Sequence, residues 1–577
     1  LKVKLAKTAG FCMGVRRAMN IVLDVANRKK GSLYTYGPLV HNPQATDMLK
    51  QKGVGILTSD SSVSNATVII RAHGVPPSER KKLKESGNHV YDATCPHVAR
   101  AQAIIKKETR DGYKVIIVGD RGHAEVNGLL GHADGNGFVV ETVSDAEGLP
   151  EMEKACIISQ TTQDRKIFLE IVEKIKMKIP DMRVFDTICD STNMRQKEVL
   201  ELAKEVDAMI IVGGRNSANT KRLYEISFSS GVPSFHIESE HELERLELEK
   251  YENIGIMAGA STPNWVIMKV IDRIKTLLKK RQRRMSAFLE IIGEFIVESS
   301  LYLGLGAVSM CYASLVFQEV RPSATILSIA FLYVFAVHVF NRFHEKLKDE
   351  FFDPARSRFF RDYGKALNIS ATAASFVSLY LSYILGLRDF MLLLFSYLMG
   401  VIYSIRIVPK RLQPFTQYKR IKDIPGSKDI FVSLAWAWVI VLIPMLNKQL
   451  SFSYKSISIL VFVTLTVFIR SVIFDIVSIE GDRIIGRETI PILTGPRRTQ
   501  IMLLALSVIA GVFMFSSAAF ALVPSLGYYL VLSPVFMVTC LYVFQKKRIQ
   551  PGILFEAVID GNFILAGLAA YVWHLAH

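Results

Sequence analysis

The sequence predicts two folds in one chain: an α/β domain built on parallel sheets, then an all-α polytopic membrane domain with about nine transmembrane helices. Three observations predict it. Residues 1 to 280 alternate short β-like runs with amphipathic stretches, the pattern of strand–helix units. Residues 291 to 577 hold long apolar runs separated by short polar pieces, and runs of about 20 residues are long enough to cross a bilayer. A basic segment, KTLLKKRQRRM (275–285), lies between them. A chain of 577 residues also exceeds what one compact domain accommodates. The expected plan is a soluble domain over 1–276, a juxtamembrane linker over 277–290 and a membrane domain over 291–577.

In the first half, ATVIIRAH (66–73), YKVIIVGD (113–120), KACIISQ (154–160) and VDAMIIVGG (206–214) read as strands. Their apolar runs are too short for helices and end in Gly or polar turn residues. VARAQAIIKKETRDG (98–112) and RKIFLEIVEKIKMKI (165–179) carry the helical period between them. In such layered folds ligands bind beyond the carboxyl ends of the strands. An internal echo joins VYDATCPHVARAQ (90–102) to VFDTICDSTNMRQ (184–196), which suggests two related subdomains, each presenting a cysteine from an equivalent loop.

The chain has six cysteines and no close CxxC pair. VKLAKTAGFCMGVRRAMNIV (3–22) has no secretory pattern. The first domain is therefore expected in the cytosol, where structural disulfides are rare. Cys156, Cys311 and Cys540 sit in apolar runs and read as buried filler. Cys12, Cys95 and Cys189 each stand at a strand-to-helix junction beside small or polar residues. Three thiolates from separate loops suit an iron–sulfur cluster with one iron left without a protein ligand, or zinc, and spacing alone does not separate the metals.

His41 (GPLVHNP), His73 (RAHGVPP) and His123 (GDRGHAEV) occupy loops with Gly or Pro neighbours. Imidazoles there can donate to a phosphate or diphosphate. Glu125, two residues past His123, becomes a proton donor if its pocket raises its pKa. QTTQ (160–163), NSANT (216–220) and ASTPNW (260–265) add hydroxyl and amide groups after strands. Such residues are ordinarily helix caps, and a cap can also border an anion held by free helix amides.

Residues 3 to about 276 resemble the iron–sulfur enzyme 4-hydroxy-3-methylbut-2-enyl diphosphate reductase, of the non-mevalonate isoprenoid route. The segments GFCMGVRRA, GPLVHN, RAHG, DATCPHV, GHAEV, SQTT, ICDSTNMRQ, NSANT and AGASTP carry the resemblance, in the family's order. It implies a three-lobed α/β fold around a central 4Fe-4S cluster held by Cys12, Cys95 and Cys189, with one non-cysteine-ligated iron. It assigns the diphosphate to His41, His73, His123, Ser217, Asn219 and Ser261. Proton relay falls to Glu125, with Thr161 and His123 beside it. The implied products are isopentenyl and dimethylallyl diphosphate, and the implied partner is an electron donor of the ferredoxin or flavodoxin kind. Ala218 stands where the family often has a second serine, so one hydroxyl contact is missing.

The second half offers spans near 294–317, 323–341, 367–386, 389–408, 430–447, 456–477, 499–520, 526–544 and 555–574. Lys and Arg concentrate in the loops after even spans, such as 342–365 and 410–423. The positive-inside rule then places those loops and the soluble domain in the cytoplasm of a multi-pass inner-membrane protein, with the C-terminus outside. This topology and the basic join, suited to anionic lipid, account for much of the net charge of +17 without nucleic acid.

FDIVSIEGDRIIGRETIPILTG (474–495) clusters Asp475, Glu480 and Asp482, carboxylates able to hold magnesium against a diphosphate. This half resembles the intramembrane aromatic prenyltransferases, the superfamily of the 4-hydroxybenzoate polyprenyltransferases, whose plan is nine spans and two acidic motifs. Ser478 stands where another Asp is common. The first motif departs further: it reads Asn341, Arg342, Phe343, His344, Glu345, with Arg342 at a metal-binding carboxylate position and Asp349 and Asp353 nearby. The resemblance implies a prenyltransferase using Mg2+, a polyprenyl diphosphate and an acceptor. The alternative is a non-catalytic module that binds prenyl lipid or anchors the reductase.

Overall fold

A computed structural model describes residues 2–28, 31–58, 61–279, 285–344, 353–404, 421, 424–545 and 552–577. The chain divides into two compact units, Leu1–Arg281 and Gln282–His577.

The first unit contains three four-stranded sheets, every pair parallel. One orders Val54–Leu57, Leu33–Tyr36, Thr67–Ile70 and His89–Asp92. The next orders Gly137–Val140, Lys114–Val118, Lys154–Ser159 and Asp181–Phe185. The third orders Ser234–Ile237, Ala208–Val212, Asn253–Ala258 and the N-terminal strand Lys2–Leu5. In chain order each sheet runs second–first–third–fourth, the last closed by the chain's opening strand. The sequence echo thus covers two of three equivalent lobes.

The strands expected at 66–73, 113–120, 154–160 and 206–214 appear as Thr67–Ile70, Lys114–Val118, Lys154–Ser159 and Ala208–Val212. They are continuous apolar runs because helices cover both faces, as parallel sheets require. Val115, Ile116, Ile117 and Val118 are fully buried. Helix Arg165–Lys176 begins on Asp164, whose carboxylate accepts from the Lys166 and Ile167 amides, and buries Phe168, Ile171, Val172 and Ile175 against its sheet.

The second unit is helical. Among the described residues, seven helices are long and apolar enough to span a membrane, or eight if the bent pair Ile291–Glu298 and Leu301–Phe317 counts as one span. The expectation of nine was approximate. The pair bends by 66° at Ser300, which has φ +67. Helix Leu387–Ser404 occupies the fourth expected span. The expected loop 342–365 is in part helix, because Pro354–Leu385 is one 32-residue helix, started by Pro354 and capped by Asp353 accepting from the Arg356 amide. Ile369, Phe376, Tyr380 and Tyr383 on its outer face are more than half exposed, as lipid-facing side chains are. Most of the loop 410–423 and most of the basic join lie outside the described residues.

Candidate active site

The three lobes bring corresponding loops together. The fifth residue beyond the first strand is His41, His123 and Ser217; the third residue beyond the third strand is His73, Thr162 and Ser261. Beyond the fourth strands come Cys95, Cys189 and Cys12. Each cysteine amide donates to the second residue past the same lobe's third strand: Cys95 to the Ala72 carbonyl at 2.9 Å, Cys189 to Thr161 at 2.9 Å and Cys12 to Ala260 at 3.1 Å. Helices start beside all three, at Met13 after Cys12 and with Cys95 and Cys189 as N-caps. Helix N-termini favour thiolate.

The three cysteines, three histidines, Glu125, Thr161, Ser217, Asn219 and Ser261 line one pocket with about 730 Å³ of empty space. Cys12, Cys95 and Cys189 are half-buried, whereas Cys156, Cys311 and Cys540 are buried and off the pocket. Among the described residues, the set of three ligating atoms within 4.8 Å of one another is His41, His73 and His123. Gly14 packs directly on the Cys95 Sγ, where a Cβ would overlap it.

The histidine rings lie 4.9, 5.4 and 5.7 Å apart between centroids. Burial holds all three below the usual imidazole range, His41 at about 4 and His73 well below, with Arg71 adding to the effect in each. His123 Nδ1 accepts the Glu125 amide at 3.2 Å, so its neutral ring carries the proton on Nε2. His41 Nε2, His73 Nδ1 and Asn219 Nδ2 are buried without partners. Donors left open beside the Arg71 guanidinium fit an anion rather than a cation. Sequence reasoning missed Arg71; its place in RAHG, two residues before His73, was the available signal.

Glu125 is 2% exposed. Its carboxyl accepts the Thr161 amide at 2.7 Å and the Thr161 hydroxyl at 2.9 Å. Burial nevertheless raises its pKa from 4.5 to about 7, with Asp120 adding to the rise. Thr161 therefore ties the acid to the Cys189 loop. Ser261 Oγ lies 3.3 Å from the His41 carbonyl and 3.4 Å from Ser217 Oγ, which joins two lobes.

In the membrane unit Asn341 is exposed, and Glu345 and Asp349 lie outside the described residues. Arg342 pairs with Glu556 and donates to the Glu298 carbonyl at 2.8 Å. Arg356 bonds Glu298 at 2.9 Å and also pairs with Glu556. Arg470 holds Asp560 at 2.7 and 3.1 Å. Arg342 is thus spent on an internal network. At the second motif Asp475 and Asp482 are buried. Lys428 reaches Asp475 at 2.8 Å, and Ser478 donates to Asp482 at 2.7 Å. Glu480 is half-buried. Asp429, missed by sequence reasoning, joins this group: it accepts from Ser471 at 2.6 Å, and its Oδ2 is buried without a partner.

Residues 3–275 match the model of the LytB protein family, and residues 302–554 match that of the UbiA prenyltransferase family. The 4-hydroxy-3-methylbut-2-enyl diphosphate reductase of Geobacter sulfurreducens is 42% identical over 282 residues, covering 49% of this chain and 100% of that protein. A solved (E)-4-hydroxy-3-methyl-but-2-enyl diphosphate reductase is 41% identical over 48% of this chain and 100% of its own, with a TM-score of 0.40. A UbiA homolog from Archaeoglobus fulgidus, solved with DMAPP and Mg2+, is 14% identical over 48% of this chain and 99% of its own, with a TM-score of 0.32.

Proposed function

The chain belongs to the LytB protein family, and from that premise we propose how its residues carry out the reductase reaction, with the domain bounds 1–276, 277–290 and 291–577. It is a 4-hydroxy-3-methylbut-2-enyl diphosphate reductase fused to a UbiA-like membrane domain. The observation that carries the site assignment is the convergence of three cysteines, three neutral histidines and the Glu125–Thr161 pair at the strand ends of three lobes.

The family uses an iron–sulfur cluster, and Cys12, Cys95 and Cys189 are the residues that would hold it here. When bound as a 4Fe-4S cluster with one iron free of cysteine, it supplies the reaction's electrons. His41, His73, His123, Ser217, Asn219 and Ser261 bind the diphosphate, the unpaired donors of His41, His73 and Asn219 facing its oxygens and Arg71 supplying fixed positive charge. Glu125, protonated up to about pH 7, gives its proton to the departing allylic hydroxyl, and Thr161 holds the carboxyl in place. Two electrons and two protons release water and leave isopentenyl or dimethylallyl diphosphate. The electrons come from an external carrier of the ferredoxin or flavodoxin kind.

For the membrane domain we propose a prenyltransferase whose acidic site is the Asp429–Asp475–Asp482 group, with Glu480 beside it. Its oxygen donors and the open Asp429 Oδ2 suit Mg2+ against a polyprenyl diphosphate. The Asn341–Arg342 motif does not fit a second ion, since its guanidinium faces Glu556. That internal pairing also supports the anchoring alternative. The even loops and the reductase domain are cytoplasmic on this reading.

The test is anaerobic turnover of the hydroxy-diphosphate with a chemical reductant, alongside iron and sulfide analysis. Cys95→Ser loses both cluster and turnover; near-normal turnover in that variant refutes the assignment. Diphosphate release from polyprenyl diphosphate, dependent on Mg2+ and an acceptor, tests the membrane domain; its absence across acceptors leaves the anchor.

A further inference from the structure

Arg195 lies six residues beyond Cys189, in the helix Asp190–Ala203, and is 4% exposed. Its Nη2 donates to the Gly10 carbonyl at 2.7 Å, two residues before Cys12. Its Nη1 donates to the Ser191 hydroxyl at 2.5 Å, two residues after Cys189. One guanidinium therefore straps two cysteine loops that come from different lobes. Its charge is coupled to both Cys12 and Cys189.

Two further facts separate it from an ordinary strap. No carboxylate pairs with it among the described residues: the nearby Glu198 accepts instead from the Lys7 and Thr8 amides and the Thr8 hydroxyl. Glu198 offsets part of this charge from a distance, and Arg16 opposes it; a buried cation with no directly paired counter-ion is costly, which favours a further anion beside it. In addition, Arg195 Nε is buried and has no hydrogen-bond partner, although an unmet buried donor is expensive. Both requirements are met by the same thing, a group of anionic sulfurs held by Cys12 and Cys189.

We propose that Arg195 is a positioning residue for the cluster. Its Nε–H is a hydrogen-bond donor to a cluster or thiolate sulfur, and its fixed charge favours the reduced, more negative state. Hydrogen bonds to the sulfurs and local charge are among the main controls on cluster potential. The inference rests on the three-cysteine reading above. Arg195 is absent from the pocket lining.

The test uses the full-length chain in detergent, reconstituted anaerobically with iron and sulfide, as wild type, Arg195→Lys and Arg195→Gln. The readouts are iron content, the EPR spectrum of the reduced protein and the midpoint potential from a redox titration. Arg195→Gln, which loses the charge, is expected to titrate at a lower potential. At the wild-type midpoint its reduced-to-oxidised ratio falls about tenfold, or about 59 mV for a one-electron couple. Arg195→Lys keeps the charge and shifts less, with an altered EPR spectrum from the lost donor. Variants that load fully and titrate with the wild type overturn the inference. Loading lost in both variants while the wild type loads reduces Arg195 to a scaffold and also overturns it. A wild type that takes up no cluster overturns the three-cysteine reading itself.

Discussion

Glu125→Gln tests the proton-donor assignment most directly. The carboxyl is buried among Thr161 and the pocket wall, and its pKa stands at about 7 against an ordinary 4.5. That difference is worth roughly 3 kcal/mol between the two protonation states. The sign follows from burial: the neutral acid is favoured, so below about pH 7 Glu125 holds the proton it must give. Turnover is expected to be flat below that pH and to fall about tenfold per pH unit above it. Gln keeps the shape and can still accept the Thr161 amide, but it has no acidic proton. Its turnover should fall by roughly 10²–10⁴-fold, and the alkaline limb should vanish. A second readout needs no cluster. In the unfolded chain the carboxyl ionises near 4.5, so this group's contribution to stability is lost as pH rises from there to about 7. The melting temperature of Glu125→Gln relative to wild type should therefore climb between pH 5 and pH 8. A variant with more than a tenth of wild-type turnover, or with an unchanged limb near pH 7, refutes the reasoning.

His41→Ala should raise KM for the hydroxy-diphosphate by about 10- to 100-fold, the worth of one charge-assisted hydrogen bond, with a smaller effect on kcat. Because burial holds all three histidines below the usual imidazole range, diphosphate binding should take up protons and weaken as pH rises, which calorimetry in buffers of different ionisation enthalpy measures. Gly14→Ala places a methyl on the Cys95 sulfur; iron content after reconstitution should fall below half of wild type while the circular dichroism is unchanged. Arg342→Ala leaves the buried Glu556 with Arg356 alone, which should destabilise the membrane unit by about 3–5 kcal/mol and lower its melting temperature in detergent; Arg342→Ala with Glu556→Gln should recover part of the loss.

The fold of the reductase half was legible because buried parallel strands are continuous apolar runs, visible wherever turn residues bound them. The likeness of Cys95 and Cys189 was legible too, since both follow an apolar–Asp stretch. Cys12 was legible at the same kind of strand-to-helix junction but fell outside the echo, because its lobe is closed by strands from both ends of the domain and its own loop is longer. Arg71 and Arg195 look in sequence like surface cations. Only packing shows that one backs the histidines and the other lies buried between two cysteine loops. In the membrane half, hydropathy located the spans, but it gave no sign that Arg342 meets Glu298 and Glu556, carried by helices far apart in the chain.

The residue types of the candidate site, and their position at strand ends, follow from the sequence alone, because apolar period and turn chemistry are local properties. Which of them face one another does not. The common second–first–third–fourth sheet order sends the corresponding loops of three lobes to one point, and that convergence raises the pKa of Glu125, neutralises three histidines and leaves their donors open. These effects come from burial and neighbouring charge, which exist only once distant segments pack together.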